Sequence, residues 1–396
     1  MNWSPSRRGM LSLCGGVVGV VPLWSVYERY KPPTRYSTPP PGSWPVHGYD
    51  PAGTWHNPYA TAPRTGVRLR WRVRDRALEP LSPVLVGEGT VYGIGVDIVG
   101  VDIVTGEPTL THRSSDVSRG ALVPSAVYRN ESLILSSGAA IRALTLPDDP
   151  GSGTVRWNHT VNGTDTDGLV PPVTDGRDVV IDTGDELAVV EPTEGVVRWR
   201  RSGSGSRPSL AHGTVYTVDG EQLRGFDVET GDQTTAVQPS GLLPDSVVAI
   251  PDGFIVRDGG TTACLRADGS VCWRQSSTGH LPYASAPAVT DEAVYAVVPE
   301  ADGRSIGAYS LSDGRERWRS ALVPTGLSAF QAPAVANEAV YFPTADGGVG
   351  AVDAASGETL WQTAAPFDDR PISAIIAAGE GVYCSDGRSI YALGVG

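Results

Sequence analysis

The stretch AVDAASGETLW, Ala351 to Trp361, limits what this chain can fold into more than any other feature, because its grammar returns along the sequence. A Val-Tyr pair with alternating neighbours, an Ala-x-Asp or its equivalent, and a Gly-x-x-x-Trp recur at roughly 37 to 46 residues, the spacing of four-stranded propeller blades. Clear copies begin at Ser82, Pro208, Ala286 and Ala332, and weaker ones near Val123, Val170 and Leu243. A last copy, Ile372 to Leu393, stops before its fourth strand, so the grammar predicts seven full units and one truncated unit.

Each unit reads as four short strands with period-two alternation. In the clearest copy these are a short inner one at APAV, then AVYF, GAVD and an outer ETLWQ. The turn before the outer strand carries Gly153, Gly195, Gly269, Gly314 or Gly357, and four positions on stand Trp157, Trp199, Trp273, Trp318 and Trp361. Glycine supplies the positive φ of a tight hairpin. The tryptophan is expected to lay its ring between neighbouring blades, a structural role rather than a chemical one. Leu110 and Thr235 take its place in two units. An isolated strand with Trp71, Gly66 to Arg74, precedes the first unit; paired with the truncated one, it closes the ring. The expectation is an all-β chain forming a single eight-bladed β-propeller over 44–396, with seven blades as the rival count.

Charge excludes one class of partner. The formal net charge is -13, and of the 31 basic residues only Lys31 is a lysine. A phosphate backbone needs a cationic track, so nucleic acid is not expected as a partner. An acidic surface that uses arginine fits a protein kept soluble in concentrated salt, where screening removes its self-repulsion, and so a halophilic source; a GC-rich genome explains the arginines equally.

The N-terminus reads as an address. Arg7 and Arg8 precede an apolar run to about residue 26, a twin-arginine-type signal or uncleaved membrane anchor over 1–30. Leu13 argues against lipidation at Cys14, since a lipobox wants a small residue there. A Pro-rich stretch over 31–43 reads as a stiff spacer. Sequons at Asn130, Asn158 and Asn162 are candidate glycan acceptors on an exported chain.

With these residues in hand, AVDAASGETLW resembles the docking repeat of quinoprotein propellers. WPVHGYDPAGTWHNP, Trp44 to Pro58, is similar to the leader ahead of the first blade in secreted archaeal proteins of this kind. The chain resembles the PQQ-like β-propeller repeat family, similar in layout to the lipoprotein propeller of outer-membrane assembly. The quinone-dependent dehydrogenases of that family imply a vicinal cysteine pair, a calcium site and an aspartate base. None of these motifs is present here, so neither PQQ nor calcium is expected as a cofactor.

Other chemistry finds little support. The histidines lack metal-ligand spacing, Thr164 to Gly168 lacks the remaining acids of a calcium loop, and GSGSRPSL around Ser204 and Ser206 reads as a flexible loop. A three-residue turn at Asp268 and Gly269 would set Cys264 directly opposite Cys272, a candidate disulfide or two small apolar residues. Most of Arg198, Arg224, Arg266 and Arg317 are expected on outer strands or turns. The function expected is a noncatalytic, exported scaffold that binds other proteins through variable loops (161–172, 299–305 and 365–371). A glycan-binding module and a PQQ-dependent dehydrogenase of alcohols or sugars are the alternatives.

Overall fold

The computed structural model describes residues 35–74, 84–113, 118–124, 131–137, 140–147, 150–160, 170–277, 286–300, 303–323, 332–344, 346–363, 372 and 374–395. The chain from Pro33 onward is one compact unit. It is an eight-bladed propeller, each blade a sheet running from an inner strand to an outer one. Blades 1 to 7 run from Val84 to Arg113, Ser118 to Thr160, Val173 to Ser202, Ser209 to Val237, Ser246 to Ser276, Ala288 to Val323, and Ala334 to Thr363. Blade 8 joins the three strands between Ala374 and Val395 to Val67–Arg74. No helix occurs among the described residues.

Burial explains the strand pattern. Blade 7 is typical: Ala339–Pro343 is buried at every position and Val349–Asp353 at all but its last, because a middle strand is covered by blades on both faces. Its outer strand Thr359–Thr363 buries only Trp361. In blade 8, Val67–Arg74 pairs antiparallel with Ser389–Val395, from Val67 opposite Val395 to Arg74 opposite Ser389. The inner strand Ala374–Ala378 then lies against Val84–Gly87 of blade 1. Eight blades close, as expected, and the rival count of seven falls.

One regular feature was not legible in the sequence. Every outer strand carries a one-residue bulge immediately before its docking position: Arg70, Thr109, Arg156, Arg198, Thr234, Cys272, Arg317 and Leu360. A bulge adds local twist and re-aims the next side chain, here the tryptophan, Leu110 or Thr235. It also corrects the cysteine register. Cys264 stands opposite Trp273, and Cys272 is the unpaired bulge residue; both thiols are free.

Strand direction sorts the connections onto two faces. The turns from inner to second strand and from third to outer strand share one face, which also carries the glycine turns. The second-to-third turns and the connections between blades share the other. Of the loops expected to vary, 161–169 of the first and all of 365–371 lie outside the described residues, while Glu300 accepts from Ser305 Oγ and is ion-paired to Arg319.

Candidate functional site

The tryptophans dock as the spacing implies, but each onto the next blade's turn. Indole nitrogens donate across the seams from Trp71 to Ile103 O (3.1 Å), Trp157 to Pro192 O (2.9 Å), Trp199 to Val228 O (2.9 Å), Trp273 to Leu311 O (2.8 Å) and Trp318 to Ala354 O (2.9 Å). Trp361 meets Pro63 O instead (2.9 Å), because blade 8 is split there between the two chain ends. The glycines are the floors of these contacts: a β-carbon on Gly195, Gly314 or Gly357 would stand 2.6 Å from Trp157, Trp273 or Trp318. Gly106 and Gly231 serve Trp71 and Trp199 in the same way, with φ of 73° and 71°.

Gly153 departs from the expectation. It is absent from the positive-φ glycines of the described residues. At that seam Leu110 replaces tryptophan, and the blades exchange backbone bonds directly, Thr111 N to Gly151 O (3.0 Å) and Gly151 N to Thr109 O (3.1 Å). His112 Nδ1 adds a contact to Gly153 O at 3.1 Å. Gly269 keeps its positive φ (82°), but faces Val237 where an indole would lie.

The central axis is where sequence reasoning fell shortest. The segment read as a leader crosses the middle of the ring. Trp44 and Val86 exchange backbone bonds at 2.7 and 2.9 Å; Leu122 N donates to Pro45 O and Leu210 N to Pro51 O at 2.8 and 2.9 Å. Val289 N and Val335 N donate to Thr54 O and Trp55 O, and Thr61 N to Gly379 O. The ring's partners in these bonds lie on or beside inner strands of blades 1, 2, 4, 6, 7 and 8. An inner strand has one unpaired edge, and the segment supplies its missing partners. Part of the stretch read as a spacer is held as well, since Tyr36 N donates to Asp175 O and Arg35 is ion-paired to Asp175, Asp178 and Glu229.

Local chemistry shapes this plug. Asp50 Oδ1 accepts from Gly53 N and Thr54 N, and its Oδ2 from Thr54 Oγ1, which closes a tight turn. Positive φ at Gly48 (99°), Tyr49 (76°), Gly53 (82°) and Trp55 (54°) folds it back on itself. The two non-glycine residues carry strain of about 1–3 kcal/mol each, offset by burial. Trp44 packs on Tyr49 and Trp55 with ring centroids 5.2 and 6.0 Å apart, and His47 meets Trp55 edge-on at 4.7 Å.

Arg207, from the run read as a flexible loop, lies against this turn: a β-carbon on Gly53 would stand 2.0 Å from its Nη1. That run is fixed, with Ser204 and Ser206 bonded to Thr217 and Ser204 also to Asp182. Burial pushes the Asp50 carboxyl up to about 6 and the Arg207 guanidinium down to about 10. Burial also takes the His47 imidazole down to about 3, aided by Arg207 and Arg119, so it is neutral at pH 7. The cue available in sequence was the aromatic density of Trp44 to Pro58, too high for a solvated leader.

The remaining expected residues scatter. Arg198 and Arg317 sit on outer strands, ion-paired to Asp178 and Glu292; Arg224, on a third strand, pairs with Asp219, and Arg266 ends another third strand at a turn. Asn158 is exposed on the outer strand of blade 2; Asn130 and Asn162 lie outside the described residues. Among the described residues no group of three His, Cys, Asp or Glu side chains is arranged to hold a metal ion.

A family profile described as outer membrane protein assembly factor BamB matches residues 141–240 and 242–394. Among solved structures, BamB from Moraxella catarrhalis is 15% identical with a TM-score of 0.61, covering 83% of this chain and 98% of its own. Quinohemoprotein alcohol dehydrogenase from Comamonas testosteroni is 12% identical at 0.68, covering 89% of this chain and 80% of its own. The computationally designed Ika8 protein aligns at 0.62 with 15% identity, over 82% of this chain and all of its own. Similarity at this level, shared by an assembly factor, an enzyme and a designed chain, establishes the fold alone. No curated protein matches the sequence. The profile spans more than half of the chain, and with the eight-bladed ring it shows that the chain belongs to the BamB-like family of PQQ-like β-propellers.

Proposed function

We propose that this propeller is a noncatalytic scaffold that binds other proteins outside the cytoplasm, through the face that carries the connections between blades. The observation that carries this reading is the plugged axis: the chain's own Trp44, Tyr49 and Trp55, all buried, fill the middle of the ring. A quinone carrying three carboxylates needs a flat space and several cations. Arg207 is closed over by Gly48 and Gly53, and Arg198, Arg224 and Arg317 are engaged elsewhere by carboxylates. The residues present do not fit the quinone, and no chemical step is derived through it. The twin-arginine-type start at Arg7 and Arg8 supports the location.

Two faces give the test its contrast. Leu243 is exposed on the connection face and Val104 on the glycine-turn face. A photoreactive amino acid at Leu243 in the native host is expected to yield one discrete protein adduct, and the same probe at Val104 none. Adducts from both positions alike, or only to glycans, would overturn the reading. So would saturable quenching of tryptophan fluorescence by PQQ with calcium, accompanied by dye-coupled alcohol oxidation.

A further inference from the structure

We propose that Cys264 and Cys272 are a thiol pair that closes to a disulfide and staples the outer hairpin of blade 5 at a seam of the ring that lacks a docking tryptophan. The bulge carries the geometry. A ladder continued regularly from the turn would set Cys264 against Cys272 alone; the bulge instead sets Cys272 and Trp273 together opposite Cys264, so the two cysteines remain cross-strand neighbours. Cys264 is buried and Cys272 exposed. All seven of the other bulges carry arginine, threonine or leucine with no cysteine opposite. An exposed cysteine is uncommon, and one placed against a second thiol is a reactive arrangement.

The position of the pair gives it a purpose. The hairpin it spans holds Gly269, whose floor is Val237 of blade 4, at a seam where Thr235 stands in for the docking tryptophan. Closing the short loop from Cys264 to Cys272 removes conformational freedom from that hairpin. The oxidant is an external disulfide, of a small molecule or a protein. Cys272, the accessible thiol, gives up its proton and attacks one sulfur of that disulfide, releasing one external thiol. Cys264 then gives up its proton and its sulfur displaces the second external thiol from Cys272. Two protein thiols and one external disulfide become one protein disulfide and two external thiols.

The test uses the full chain in high salt, treated with oxidised glutathione or with dithiothreitol. Oxidation is expected to lower the intact mass by two hydrogens, to protect both cysteines from maleimide, and to slow hydrogen exchange in 233–237 and 261–276 by about tenfold. Cys384→Ser should retain all three effects; Cys272→Ser should lose them. Maleimide labelling of both cysteines after oxidation, or a glutathione adduct that stays on Cys272, would overturn the proposal. So would a disulfide that leaves exchange at the seam unchanged.

Discussion

The seam between blades 6 and 7 and the seam between blades 4 and 5 are built from the same hairpin grammar and held in different ways. At the first, Trp318 is 8% exposed, rests flat on Gly357, and shares the Ala354 carbonyl with the Tyr295 hydroxyl at 2.9 and 3.1 Å. At the second, Thr235 is short, Val237 takes the floor of Gly269, and one guanidinium, Arg274, reaches Ser240 O at 2.9 Å. A groove of about 620 Å³ opens beside it on the connection face, lined by Glu221, Leu242, Leu243 and Asp258. The contrast teaches that the tryptophan is an optional fastening. The inner strands and the plug hold the ring together at the axis, so one seam can be left loose near a face free to bind.

The largest effect should come from breaking the docked seam. Trp318→Ala removes an almost fully covered indole and its hydrogen bond, and is expected to cost about 3–5 kcal/mol in a denaturant titration in high salt. Thr235→Ala, at the loose seam, should cost under about 0.5 kcal/mol. Equal losses would mean that Thr235 fastens its seam by contacts as strong as the indole's. Next comes the floor itself. Gly357→Ala places a β-carbon 2.6 Å from Trp318 at a φ of 74°, with an expected loss of about 1–3 kcal/mol. Gly269→Ala has comparable strain and meets the Val237 β-carbon at 2.7 Å, which side-chain rotation cannot move, so its loss should be of the same order.

How much of this was legible follows from what a repeat encodes. The spacing of Trp157, Trp199, Trp273, Trp318 and Trp361 and the missing last strand pointed to eight blades and to the closure, because a truncated unit and an orphan strand complete one another, while the weaker copies left seven as the rival count. Two things were hidden. The bulges carry no residue signature, since arginine, threonine, cysteine and leucine all occupy them, and this is why Cys264 and Cys272 were set in the wrong register. The plug was hidden because it occurs once: Arg207 reads as loop and Tyr49 as leader until the ring brings them together across its axis.

The other seam without a tryptophan, between blades 1 and 2, should differ from the loose one in its response to pH. Glu131 of blade 2 lies against Gly87 of blade 1 with a buried oxygen that has no hydrogen-bond partner among the described residues. Burial, with Glu88 nearby, pushes its carboxyl up to about 8. A carboxyl raised in the fold contributes stability that is complete below its unfolded value near 4.5 and is lost as pH rises through about 8. Asp50, raised to about 6, acts with the same sign at lower pH. Stability should therefore fall between pH 5 and 8.5. Glu131→Gln should flatten that fall between about pH 5 and 8, a relative gain of about 2 kcal/mol at pH 8.5, and leave only the part up to about pH 6 that Asp50 contributes. Hydrogen exchange should report the change at blades 1 and 2 and not at blades 4 and 5; a uniform response would show that the seams are not separate units.

The smallest expected effect tests whether the loose seam is loose for want of an indole. Thr235→Trp alone should be close to neutral, because Val237 already occupies the floor on Gly269, its β-carbon 2.7 Å from where a glycine β-carbon would stand, and overpacking would offset the ring's burial. Clearing that floor with Val237→Gly in the same chain, which removes the β-carbon, should let the indole settle as it does at Trp199, which reaches the Val228 carbonyl from the preceding seam at 2.9 Å. The equivalent acceptor across the loose seam follows the third strand of blade 5, where Arg266 and Ser270 close the turn by a 2.9 Å backbone bond. The double variant is expected to gain about 1 kcal/mol and to make that seam resemble the one between blades 6 and 7. If it gains nothing, the turn of blade 5 cannot offer its carbonyl, and the looseness lies in the backbone of the hairpin that the two cysteines span rather than in the choice of threonine.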